Sequence, residues 1–392
     1  MAENSGIQWT THTFNPWRGC TKVSAGCANC YAETLSGRNS KTLGVWGPMG
    51  TRVVAAEAQW KLPLKWNRAA QIAEDVWHER NRNNPNGNHS PYQRPRVFCA
   101  SLADVFENWQ GKMDDSKGQQ LWVAGNGWTA NPGGRTLALP DVRRRLFELI
   151  DATPNLDWLL LTKRPENIAG MMPPYRWHDK RERRFHEGRS SWPEVELMNS
   201  PAFKPDVWLR WPRPNVWIGT SVENQQAADE RIPHLLSVPA AVRFLSVEPL
   251  LGPVALRDCR YKSVRDPALS FAALGGTLLG GQKVGGIDWV IVGGESGPGA
   301  RPCSVDWIRL IVQQCKAAGV PVFVKQLGSN PTWTHYTGKP TVGIDQPYCA
   351  SSRQRRDGIQ TLTRLGDKNG GDMAEWPEDL RVREFPKAVP HA

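Results

Sequence analysis

Three cysteines, Cys20, Cys27 and Cys30, stand within "NPWRGCTKVSAGCANCYAE" (residues 15–33) at a C-x6-C-x2-C spacing, with Tyr31 directly after the last. Thiols this close together, with no histidine among them, suit a soft metal or an iron–sulfur centre better than a hard cation. Three thiolates leave a fourth position open. That fits a catalytic zinc with one site free, a structural zinc completed by a distant ligand such as His12, or a cubane cluster with one iron unligated by protein. Unligated thiols in a loop are the remaining alternative. The chain has eight cysteines, and in a reducing compartment these are free thiols or metal ligands, not a disulfide framework. Cys99, Cys303 and Cys315 fall on apolar patterns and read as core thiols. Cys259 and Cys349 lie in irregular stretches and acquire no role.

A second set of reactive side chains follows six apolar runs. "SLADVFE" offers Ser101, Asp104 and Glu107; "TKRPE" offers Thr162, Lys163 and Arg164; "GTSVEN" offers Thr220, Ser221, Glu223 and Asn224. "SVEP" brings Ser246 and Glu248, "GGESGPGARP" brings Gly293, Gly294, Glu295, Ser296 and Arg301, and "VKQLG" brings Lys325 and Gln326. Singly, each has an ordinary reading as a cap or a rim ion pair. Together they describe one polar face at the ends of successive strands, where barrel enzymes place their chemistry.

The elements that must position these groups are legible as apolar runs alternating with amphipathic stretches. "GIQWT" is a candidate first strand, followed by "RVFCAS" (96–101), "LDWLLLT" (156–162), "NVWIGTS" (215–221), "AVRFLSV" (241–247), "IDWVIVGG" (287–294) and "VPVFVKQLG" (320–328). Helices are expected over "ENQQAADERIPHLLS" and "VDWIRLIVQQCKAAG", the latter ending at Gly319. Continuous apolar strands separated by helices are parallel βα units buried on both faces. No dinucleotide-type glycine fingerprint follows the first strand. The expected fold is therefore α/β, a complete or partial (β/α) TIM-type barrel of about six to seven parallel strands with long inserts. The inserts fall near 78–96, 110–136, 171–214 and 259–286. The barrel occupies 1–329, and 330–392 reads as an irregular C-terminal tail or cap.

A three-Cys loop after the first strand, an aromatic next to its last cysteine and a (β/α) barrel resemble the radical-SAM superfamily. More closely, "NPWRGC…GC.NCYA", "LTKRPE", "GTSVEN", "FLSVEPLLGP", "DWVIVGGESGPGARP" and "VPVFVKQLG" resemble a phage-associated three-Cys-motif family of radical-SAM-like proteins; the cysteine loop is distantly similar to that of spore photoproduct lyase. The similarity runs from about residue 8 to 328 and omits the tail and most of the inserts. The superfamily loop is C-x3-C-x2-C with an aromatic before its third cysteine. Here the first gap is six residues, Asn29 precedes Cys30 and the aromatic follows it.

The resemblance implies a 4Fe–4S cluster on Cys20, Cys27 and Cys30, with S-adenosylmethionine chelated at the free iron. One electron then breaks the sulfonium C–S bond to give methionine and a 5′-deoxyadenosyl radical, which abstracts hydrogen from a substrate. On that reading, position at the strand ends assigns Gly293, Gly294, Glu295 and Ser296 to the methionyl amino group. Lys163 or Arg164 meets its carboxylate, and Thr220, Ser221 or Glu223 the ribose, with Glu248 beside them. The resemblance also implies an external electron donor and modification or repair of a nucleobase or nucleic acid.

Composition agrees with a polyanionic partner. The net charge is +11 and there are 19 tryptophans, which stack on bases as readily as they fill cores. A DNA, RNA or nucleotide substrate is thus expected, and the insert 171–214, with Arg183, Arg184, Trp192 and Trp208, is either its platform or a solvated charged loop whose tryptophans pack onto the barrel. No apolar run is long enough to span a membrane and no leader is evident, which leads to the expectation of a cytoplasmic protein. Two other functions compete. A zinc-stabilised nucleic-acid-binding protein uses the cysteines and the charge but leaves the strand ends idle. A TIM-barrel glycoside hydrolase uses Glu223, Glu248 and Glu295 as carboxylates but leaves the cysteines idle.

Overall fold

Trp289, Val290, Ile291 and Val292 are all buried, and this pattern repeats along the central strands because each has apolar neighbours on both faces. The computed structural model describes residues 2–84, 90–125, 127–172, 213–256, 286–336 and 365–386, with further short stretches, mostly strands, at 176–179, 184–187, 260–262, 270–274, 277–279, 282–284 and 358–362. Seven strands run in parallel: β1 (His12–Phe14), β2 (Arg96–Cys99), β3 (Asp157–Thr162), β4 (Val216–Ser221), β5 (Val242–Val247), β6 (Trp289–Gly293) and β7 (Val322–Gln326). They hydrogen-bond in sequence order. Right-handed strand twist curls such a sheet, and here it forms a half-barrel.

The two faces of the curl have different cores. On the concave side Trp9, Phe98, Leu159, Trp217, Phe244, Trp289, Ile291 and Phe323 pack together, with Phe385 against them. Trp289 is its hub, with Trp217 and Phe323 ring centroids 6.0 and 6.3 Å away in edge-on contact. A Cβ on Gly219 would meet the Phe244 ring at 2.5 Å, so only glycine leaves room for it. The alternate residues of the same strands, among them Val97, Trp158, Leu160, Ile218, Leu245, Val290 and Val324, form the convex core with the helices.

Among the described residues, the α-helices longer than a single turn are α1 (Tyr31–Arg38), α2 (Leu62–Asn83), α3 (Leu139–Asp151), α4 (Gln225–Leu236) and α5 (Val305–Ala318). Asn224 caps α4 by accepting from the Ala227 amide at 2.9 Å, and Gly319 ends α5 in the left-handed region at φ 66°. Both expected helices are present. Between β5 and β6 the described residues hold only short antiparallel ladders, Arg260–Lys262 with Ser270–Ala272 and Thr277–Leu279 with Gln282–Val284, in place of a helix. The first strand also lies later than its apolar content suggests. Residues 6–9 are turns and bends, with Trp9 in the concave core, and β1 begins at His12.

The barrel does not close among the described residues, and both of its edges are covered. Ala2–Glu3 pairs antiparallel with β1. At the other edge the chain returns along β7, where Val324 donates to the Val382 carbonyl (2.9 Å) and Glu384 to the Val322 carbonyl (3.0 Å). Covered edges do not template pairing with another chain. Insert 110–136 contains the hairpin Trp122–Ala124 with Gly127–Thr129. In insert 171–214 the described residues include one ladder, Arg176–Asp179 with Arg184–Glu187. The side chains named there as a nucleic-acid platform lie outside the described residues, as do Cys259 and Cys349.

Candidate functional site

The cysteine loop is held from both sides by side chains at the strand ends. After β2, Asp104 accepts from the Thr162 hydroxyl (2.7 Å), the Lys163 amide (3.1 Å) and the Arg164 guanidinium (2.8 Å). This fixes Arg164 so that it also donates to the Thr21 carbonyl (2.7 Å) and approaches the Cys20 sulfur at 3.8 Å. Glu107 is buried against Arg52, which donates to both of its oxygens at 2.8 Å, and it accepts from the Thr21 amide at 2.8 Å. Burial pushes the Cys20 thiol up to about 12; the Asp104 and Glu107 charges add to this and Arg164 opposes it.

Carboxylates beyond β4 and β6 hold the opposite side. Glu223 pairs with Arg231 at 2.7 Å, one helical face along α4, and accepts from the Gly26 amide at 3.3 Å. A Cβ on Gly26 would lie 3.1 Å from the Glu223 carboxyl carbon. Glu295 is gripped by Arg301 at 2.6 and 2.9 Å and accepts from Asn29 at 3.0 Å. Arg301 in turn donates to the Ala25 carbonyl at 2.8 Å. Burial alone would raise both carboxyls. It is outweighed at Glu223 chiefly by Arg231, with the Lys163 charge adding to it, and at Glu295 by Arg301 and Asn29, so both sit below the ordinary carboxylate value.

Between these anchors lies a cavity of about 390 Å³ at the C-terminal ends of the strands. All three cysteines line it, together with Lys163, Arg164, Ser221, Glu248, Glu295 and Ser296. Lys163 donates to the Ser221 hydroxyl at 3.1 Å, and Lys325 pairs with Glu248 at 2.5 Å. Gly293, Gly294, Thr220 and Glu223 do not line the cavity. Thr220 is buried and donates to the Thr162 carbonyl at 2.9 Å. Gly294 lets β6 approach the chain beyond β7, since a Cβ there would fall 2.2 Å from the Leu327 carbonyl oxygen. His12 stacks on Trp66 at 4.3 Å and is not among the lining residues.

The three sulfurs share this space as free thiols. Among the described residues no three His, Cys, Asp or Glu groups are gathered tightly enough to hold a metal ion. The donor set itself, three thiols with no carboxylate or imidazole on the loop, has the chemistry of a soft-metal or iron–sulfur ligand set. Cys99, Cys303 and Cys315 are buried core thiols, as their patterns suggest.

Several participants have no sequence signal. Arg52 and Arg231 become site residues only through the carboxylates they meet, and Trp46 lines the cavity from a glycine-bounded loop. Ala100, also in the lining, adopts φ 67° at the end of β2. Left-handed backbone at a non-glycine residue is the kind of feature that gathers at functional sites.

No curated protein and no solved structure matches the chain. The model of one family, described as "Protein of unknown function (DUF5131)", matches residues 4–122 and 138–373 of the 392, and the chain belongs to that family.

Proposed function

We infer that the cavity is the reaction site of a radical S-adenosylmethionine enzyme, with Cys20, Cys27 and Cys30 as ligands of a 4Fe–4S cluster. The observation that carries this reading is the placement of all three thiols of one loop on a single cavity at the strand ends, held there by bonds from beyond β2, β3, β4 and β6. When bound, the cluster and S-adenosylmethionine supply one-electron cleavage of the sulfonium C–S bond.

The chain's own part is binding and orientation. Loading draws the three sulfurs together and removes their protons, because a coordinating thiol is deprotonated outright. Lys163 is the lining cation whose hydrogen bond goes to a neutral hydroxyl. Arg164, Lys325 and Lys22 are each paired with a carboxylate. The methionyl carboxylate therefore falls to Lys163 with Ser221, while Arg164 positions the loop. Ser296 is available to the rest of the ligand, while Glu248 is held by Lys325. Glu295 contributes mainly through Asn29 and Arg301, and Glu223 through Gly26. The same pairings weaken the glycoside hydrolase reading, since a general acid needs a raised carboxyl pKa and both Glu223 and Glu295 are lowered.

Anaerobic reconstitution with iron and sulfide tests the reading. The expected product carries about four irons and four sulfides per chain, absorbs broadly near about 400 nm, and releases 5′-deoxyadenosine when given S-adenosylmethionine and dithionite. Cys20→Ala, Cys27→Ala and Cys30→Ala should each lose the absorbance, and Cys303→Ala should keep it. Full iron in the Cys27 variant, or one zinc and no iron in the parent, overturns the assignment.

A further inference from the structure

The solvent face of α1 carries the wrong residues for a surface that meets only water. Tyr31, Leu35 and Arg38 stand at i, i+4 and i+7, so they line up along one side of the helix, turned away from the buried Ala32 and Ser36. Tyr31 is 55% exposed although its hydroxyl is tied to the Ser101 carbonyl at 2.7 Å. Its ring is thus fixed at the cavity and open outward. The loop after the one-turn helix Ser40–Leu43 continues the strip. Trp46 lines the cavity, Val45 is exposed, and Met49 is 95% exposed.

This loop belongs to the same wall. The Gly47 amide donates to the Cys20 carbonyl at 2.9 Å, and the Ser36 hydroxyl bonds the Gly44 carbonyl. The strip also carries positive charge. Arg38 and Lys41 are exposed, and Glu33 on its flank is neutralised by Lys22 at 2.6 Å.

We propose that this strip docks a single-stranded nucleic acid, one unpaired base of which enters the cavity. Stacking surfaces beside unpaired cations are what binds such a strand, because every base has a π-face and every nucleotide a phosphate. A duplex keeps its bases stacked and offers the apolar strip nothing. The chain's net charge of +11 favours the same partner. From Tyr31 to Arg38 the helix rises about 10 Å, which lets the aromatic meet a base while the guanidinium meets a backbone phosphate. The proposal deepens the reading of the cavity as the reaction site and rests on it.

The test is fluorescence anisotropy of labelled single strands of about 15 nucleotides, one DNA and one RNA, against the full chain without cluster and over a range of salt. The parent should bind at least one strand in preference to the matching duplex, and the DNA and RNA arms identify which. For Arg38→Ala with Lys41→Ala, affinity should fall on the order of tenfold at about 0.1 M salt. The slope of log affinity against log salt should flatten by about 1.4, at about 0.7 for each phosphate no longer neutralised. Leu35→Ala with Met49→Ala should weaken binding severalfold at an unchanged slope. Failure of the parent to bind either strand, equal binding of duplex, or an unchanged slope in the charge variant overturns the proposal. Cluster loading is measured on the same proteins. Strand binding without iron incorporation defeats the radical enzyme and leaves the docking surface; iron incorporation without strand binding does the reverse.

Discussion

Glu223 and Glu295 show how a polar residue at a strand end serves a site by holding the cysteine loop, Glu295 from the cavity wall and Glu223 from outside the lining. Each is almost fully buried, each has an arginine within 2.7 Å, and each accepts a bond from the cysteine loop. The buried Arg52–Glu107 pair does the same beneath Thr21. Removing one member of such a pair strands the other, which is more costly than never having had the pair. Acid reaches these anchors through the carboxyls. Their folded values lie below the ordinary 4.5. Their contribution is therefore complete above about pH 4.5 and is lost as pH falls through the lower folded values. The melting temperature of the parent should accordingly drop as pH is lowered past that range. Glu223→Gln should be less stable at neutral pH and show a shallower acid dependence. Parallel profiles for the two proteins would remove Glu223 from the linkage.

At the scale of elements, the cysteine loop is a short segment whose order depends on its neighbours. Residues Ala25–Cys27 make a single 3-10 turn with no buried residue, and the segment runs straight into α1 with Cys30 as its cap. A segment with so little apolar burial is held mainly by its bonds to the barrel and opens at low free energy when they are broken. Arg301 bridges Glu295 to the Ala25 carbonyl, so Arg301→Ala should accelerate amide exchange across 24–30 by about tenfold while leaving β3 and β4 protected. Acceleration spread evenly over the sheet would mean that Arg301 supports the fold and not the loop. The sequence shows the loop as a cysteine spacing. Its anchors are not legible there, because nothing local to Asn29 points to a carboxylate 266 residues away.

At the scale of the molecule, residues 365–386 complete the half-barrel. Trp376 and Leu380 enter the convex core, and Phe385 packs on Phe323 and Trp289 with centroids 5.3 and 5.5 Å apart. Arg96 lies over Phe385 at 3.9 Å, and the Trp289 indole donates to the Glu384 carbonyl at 2.9 Å. A chain ending after Leu362 bares the edge of β7 and the faces of Phe323 and Trp289 that Phe385 covers. It should be recovered as aggregate, or as a species with exposed apolar surface that binds a hydrophobic dye. A soluble truncated chain with the parent's melting temperature would show that the segment is dispensable. No helix among the described residues is long and apolar enough to cross a membrane.

The sequence by itself determined the succession of parallel strands, because residues buried on both faces must be apolar at every position and such runs stand out from their flanks. It also determined the three-thiol set and the polar strand ends, which are properties of residue type and order. Only the tertiary structure decided what each polar group faces. Lys163 and Arg164 are neighbours in sequence, yet one meets a hydroxyl in the cavity and the other a carboxylate sixty residues away. The sequence could not separate "GIQWT" from a strand, since a tryptophan filling the concave core is as apolar as one in a sheet. Nor could it bring the polar stretch 365–386 back along β7. Local pattern reports how much water a residue avoids; which neighbour excludes that water is settled by distances that exist only once the chain has folded.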